Sequence, residues 1–135
     1  MRLIDCSDLA NLRFEDCFGK KPPQYAILSH TWGADGDEVT FKEFRKGTGK
    51  AKAGYGKIQF CAEQAARDGL QYIWVDTCCI DKSSSAELSK AINSMFYWYR
   101  DSTKCYVYMV DVSTRQRLAN GKLIRLDGKE AFRKS

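Results

Sequence analysis

An α/β fold, a sheet with parallel strands and flanking helices, is what this sequence predicts. Three observations carry it. Residues 72–75 (YIWV) form a short apolar run of β-branched and aromatic residues, the pattern of a strand buried on both faces. Ser84-x-x-Glu87 then fits a capping box, and Leu88, Ala91, Ile92, Met95 and Tyr99 follow at helical spacing. Residues 105–110 are a second β-rich run, and two buried strands joined through a helix imply a parallel βαβ unit.

The remaining elements follow in order. Residues 1–4 and 12–14 are short strand candidates around a polar turn, an edge hairpin. Pro22-Pro23 ends that section and delivers residues 24–29 (QYAILS), a clear strand with His30-Thr31-Trp32-Gly33 at its carboxyl end. Six of the ten glycines lie from Gly33 to Gly56, a long, mobile connection with one short helical possibility at 39–45. Gly49 and Gly54 have phosphate-loop spacing, but Tyr55 stands where the lysine belongs, so these are ordinary loop glycines. In the next helix, 57–68, Ile58, Cys61, Ala62, Ala65 and Ala66 make a narrow apolar stripe, and Gly69 suits the left-handed position beyond its end. Residues 77–85 read as a polar loop carrying Cys78, Cys79, Asp81 and Lys82. After Val112 the signal fades to a weak hairpin at 118–126 through Asn120-Gly121.

At 135 residues, 44% of them hydrophobic, the chain suits one domain with a single core. No apolar run approaches the roughly 20 residues of a membrane span, and no signal peptide is evident, so a cytoplasmic protein without membrane contact is expected. The net charge of +5 misleads: residues 1–112 hold fifteen basic and fifteen acidic side chains. Residues 113–135, a basic and weakly structured tail, hold seven basic residues against Asp127 and Glu130. A nucleic-acid binder would carry its basic patch on the folded body among stacking aromatics, so that class is disfavoured. Six cysteines show neither C-x-x-C pairs nor zinc spacing, which fits reduced thiols and no metal. No cofactor is required by the pattern.

Sites in open parallel sheets lie beyond the carboxyl ends of strands, which puts residues 30–33 and 76–82 on the functional edge. His30 and Trp32 suit stacking on and hydrogen-bonding a nucleotide; alternatively Trp32 caps the core and His30 bonds to backbone. Asp76 and Asp81 suit a ribose or a partner's arginine, or else accept backbone N–H groups in the turn and start the helix. Thr31 and Cys79 complete the candidate nucleotide-binding set. Glu87 is a candidate general base or charge stabiliser, set against a helix cap worth about 0.5–2 kcal/mol. A Cys–His hydrolase would need His30, the sole histidine, beside Cys78 or Cys79, and no orienting third group is identifiable. Met95, Phe96 and Tyr99 fall to the core, whereas Trp98 lies off the main stripe as a contact residue.

Residues 25–33 (YAILSHTWG), Lys57-Ile58 with Cys61-Ala62-Glu63, and residues 72–99 closely resemble the fungal HET (heterokaryon incompatibility) domain. Three separated blocks occur in the right order over roughly residues 1–112. The resemblance implies a role in non-self recognition, in which fusion of incompatible hyphae triggers programmed cell death. The HET domain is in turn similar to TIR domains, flavodoxin-like modules that self-associate and in several lineages cleave NAD. It therefore implies a flavodoxin/TIR-like parallel sheet with flanking helices, protein partners of the same or another kind, and NAD as a possible substrate. HET domains continue with a block resembling W-x-x-R-G-W-T-L-Q-E-L, whose Glu aligns with the TIR catalytic carboxylate. This chain ends at Phe132-Arg133-Lys134-Ser135 where that block is expected, so a C-terminally incomplete sheet with an exposed edge is anticipated.

Overall fold

The computed structural model describes residues 1–17, 19–30, 38–110 and 121–127. They form one six-stranded sheet of β1 (Arg2–Asp5), β2 (Arg13–Asp16), β3 (Tyr25–His30), β4 (Tyr72–Trp74), β5 (Lys104–Val110) and β6 (Gly121–Asp127), in the order β2-β1-β4-β3-β5-β6. Four helices accompany it: α1 (Phe41–Lys46), α2 (Ala53–Arg67), α3 (Asp76–Cys79) and α4 (Ser85–Asp101).

The expected parallel strands are the middle of a mixed sheet. β3 pairs in parallel with β4 (Tyr25↔Tyr72 to Ile27↔Trp74) and with β5 (Ala26↔Lys104 to His30↔Tyr108). Taken in chain order these three strands lie 2-1-3, the start of a flavodoxin-like arrangement. The anticipated N-terminal hairpin is present: β1 and β2 pair antiparallel, and β1 also lies antiparallel on β4 (Ile4↔Ile73). At the other edge β6 runs antiparallel along all of β5, from Lys104↔Asp127 to Val110↔Gly121. This strand replaces the weak hairpin read through Asn120-Gly121, since Gly121 opens it; residues 118–120 lie outside the described residues. Pairing along seven positions satisfies the backbone groups of β5 that the anticipated open edge would have left to solvent.

Right-handed crossovers from β3 to β4 and back across to β5 run in opposite directions, so α2 and α4 cover opposite faces. Side chains agree. Trp74 meets Trp98 of α4 edge-on at 5.4 Å, and the Tyr25 hydroxyl donates to the Trp98 carbonyl at 2.5 Å. On the other face the Tyr106 hydroxyl donates to Asp68, just past α2, at 2.6 Å. Leu3, Ile4, Ile27, Leu28, Ile58, Ile73, Trp74 and Tyr106 are fully buried between these layers.

The glycine-rich connection expected to be mobile holds α1 and the first turn of α2. Thr40 caps α1 with a complete capping box: its hydroxyl accepts the Glu43 N–H at 3.2 Å and Glu43 accepts the Thr40 N–H at 3.1 Å. Gly47, at φ 76°, closes the helix in the left-handed conformation that side chains resist. Lys52 then bridges back to Glu43 at 2.7 Å. α4 is rotated from its expected setting. Ala91 is buried and Leu88, Met95, Trp98 and Tyr99 pack on the core, while Ile92 and Phe96 are 63% and 51% exposed. Trp98 is thus a packing residue rather than a surface contact.

Candidate functional site

β3 and β4 run parallel from Tyr25↔Tyr72, so their carboxyl ends point to the same edge of the sheet, with β3 running on to His30 past Ile27, the partner of Trp74. His30 closes β3 opposite Tyr108. Thr31 and Trp32 lie outside the described residues. The segment after β4 lies wholly within them. Instead of a polar loop, the chain turns at once into α3, with Val75 as its extended N-cap residue and the Cys79 N–H donating to the Val75 carbonyl at 2.8 Å. That turn buries Thr77, Cys78 and Cys79.

Cys79 is therefore corrected from rim to core. Its sulfur accepts the Val75 N–H at 3.4 Å, and a small buried thiol packs as a hydrophobe. Cys78 is fully buried, and desolvation pushes its thiol well above the ordinary range, which removes any nucleophilic role. Asp76 is half-buried in the first turn of α3. Asp81 shapes the turn before α4: its carboxylate accepts the Ser83 hydroxyl at 2.5 Å and the Ser83 N–H at 3.1 Å, which holds its pKa below the ordinary value.

Glu87 proves to be an anchor. Ser84 caps α4 by accepting the Glu87 N–H at 3.3 Å, as the capping-box spacing predicts. The reciprocal half differs: the Glu87 carboxylate accepts the Asp81 N–H rather than that of Ser84. It is also gripped by Arg2, whose two terminal nitrogens donate at 2.9 and 3.2 Å with both side chains largely buried. Arg2 donates further to the Cys79 carbonyl at 3.1 Å and lies over the Phe41 ring at 4.3 Å. One guanidinium thus binds β1, α1, α3 and the start of α4 together. Nothing around Arg2 in the sequence signals this role, which depends on β1 lying antiparallel to β4.

Beside this anchor a cleft of about 300 Å3 opens between residues 38–42 and the turn at 77–83. Asp81 and Lys82 line it; Asp76, Cys79 and Glu87 do not. Glu38 on its wall is paired with Lys57 of α2 at 2.9 Å, and both side chains are nearly buried. Desolvation lowers the Lys82 pKa, against the raising influence of Asp76, Cys78 and Glu38. Of the site residues expected from the sequence whose side chains are described, only Asp81 faces the cleft. Among the described residues no cluster of three or more His, Cys, Asp or Glu is arranged to hold a metal, and no helix is long and apolar enough to cross a membrane.

A parallel-stranded core with this capped, arginine-anchored edge carries the described parts of the three sequence blocks, on β3, on α2 and from β4 through α4. The chain belongs to the heterokaryon incompatibility (HET) family, whose model matches residues 25–134. It is similar to the vegetative incompatibility protein HET-E-1 of Podospora anserina, 57% identical over 122 residues. Those residues are 90% of this chain and 9% of that protein, so the chain spans under a tenth of the relative's length. No solved structure matches the chain significantly.

Proposed function

We propose that this chain is the signalling module of a heterokaryon incompatibility system in a filamentous fungus. In this reading it acts in the cytoplasm, in non-self recognition and the programmed cell death that follows, by associating with a second copy or with another protein. The observation that carries the reading is the 57% identity, over nearly the whole chain, to a vegetative incompatibility protein. Association through the outer face of α4 is supported by Ile92, Phe96 and Tyr97, which stand 63%, 51% and 53% exposed. Large apolar side chains grouped on the exposed face of an otherwise mostly polar helix are the usual mark of a protein contact.

NAD as a substrate is the second reading, favoured by the cleft beside Asp81 on the carboxyl edge of the sheet. Glu87 serves it poorly as a catalytic group, because a carboxylate saturated by Arg2 and a backbone N–H is already neutralised. The test is expression of the wild-type chain and of Ile92→Glu/Phe96→Glu in a filamentous fungus, with light scattering on the purified proteins. The expected result is cell death and concentration-dependent assembly for the wild type and neither for the variant. A variant that still assembles and still kills would sink the α4 surface. Nicotinamide release from NAD, abolished by Glu87→Gln at an unchanged melting temperature, would instead restore Glu87 as catalytic.

A further inference from the structure

A second cleft, of about 450 Å3, opens at the opposite end of α1 from the rim, between β2 and the turn joining α1 to α2. Arg13, Arg45, Lys46 and Lys50 line it, and no Asp or Glu does. All four cations are exposed, and neither Lys46 nor Lys50 forms an ion pair with a described residue. Two of them sit in the last turn of α1, where cations complement the helix dipole, and Arg13 stands opposite Asp5 on β1, but neither accounts for Lys50 beyond the turn. The inner wall is aromatic: Phe14 and Phe44 meet with ring centroids 4.6 Å apart, and half-buried Tyr55 closes the side.

Arg13 has Asp5 opposite it on β1 and Arg45 lies over the Phe41 ring at 5.2 Å, but Lys46 and Lys50 have no ion-pair partner among the described residues, and a polyanion would supply one. An apolar wall beside them favours a ligand with a flat body as well as charge. We propose that this cleft binds a nucleoside polyphosphate, its phosphates held by Arg13, Arg45, Lys46 and Lys50 and its base against the Phe14–Tyr55 wall. An extended nucleic acid fits less well, because exposed Glu15 and Asp16 follow directly on β2 and interrupt any basic track. The site is separate from the rim cleft, and the inference does not rest on the association reading.

The experiment is calorimetric titration of the full chain with ATP, inorganic tripolyphosphate and adenosine at low salt. ATP should bind one to one, at least about tenfold tighter than either fragment, since cationic and aromatic walls then both contribute. Arg45→Ala/Lys50→Ala should lose that binding at an unchanged melting temperature. Lys20→Ala/Lys21→Ala, exposed cations that do not line the cleft, should retain it, as should Ile92→Glu/Phe96→Glu. Absence of saturable ATP binding at millimolar ligand overturns the proposal. So does ATP binding unaffected by the Arg45/Lys50 substitutions, and so does tripolyphosphate binding as tightly as ATP, which would leave a simple anion site.

Discussion

Arg2 shows how one side chain can set the state of another. Its fork on Glu87, with the Asp81 N–H on the same carboxylate, converts a candidate catalytic residue into a partly buried structural pair. Removing either partner strands the other charge away from full solvation. Glu87→Ala and Arg2→Ala should each cost about 2–3 kcal/mol in urea unfolding, with Glu87→Gln milder. The double variant should cost much less than the two singles together; additive losses would mean that the pair contributes nothing. The six thiols give a second residue-scale expectation. All are buried, and desolvation pushes Cys105 up to about 11 and Cys6 up to about 12 from an ordinary 9.0. A neutral group whose pKa is raised by folding contributes fully below its unfolded value and loses that contribution as pH rises toward the folded one. Melting temperature should therefore be insensitive to Cys6 and Cys105 below pH 9.0 and decline between 9.0 and about 11 through Cys105. A thiol reagent at neutral pH should label none rapidly in the native state, and rapid labelling would contradict their burial.

At the scale of the element, α4 separates what periodicity fixes from what it leaves open. Spacing from Leu88 to Tyr99 located the helix, and Ser84-x-x-Glu87 located its start. The stripe did not fix its rotation, because Ile92 and Trp98 are both apolar and either could face inward. Trp74 decides the matter by offering its ring edge to Trp98, which turns Ile92 and Phe96 outward. Ser84→Ala should cost about 1 kcal/mol by removing the cap. Ile92→Glu/Phe96→Glu should change stability by no more than about 0.5 kcal/mol in thermal unfolding, since exposed positions lose little packing. A large destabilisation would show that this face is packed rather than presented. α1 was legible in the same local way, as Thr40-x-x-Glu43 followed by Gly47, although glycine content alone suggested an irregular connection.

Across the whole molecule, the N-terminal hairpin is part of the body rather than an appendage. Leu3 and Ile4 are fully buried, β1 covers the edge of β4, and Arg2 reaches the start of α4 from it. A chain beginning at residue 25, where the family match starts, should therefore expose an unpaired strand edge, lose a cooperative thermal transition and aggregate. A residue 25–135 fragment melting like the full chain would show the hairpin to be dispensable.

Short-range pattern by itself located the three central strands, the crossover helices, the Ser84 cap and the edge hairpin, because each depends on residues within a turn or two of one another. Tertiary structure alone decided that Cys79 lies in the core, that Glu87 is bound by Arg2 from 85 residues away, and which side of α4 is presented. Those outcomes depend on the order in which strands are laid beside one another. Strand order is fixed by burial and crossover handedness over the whole chain, and no local spacing encodes it.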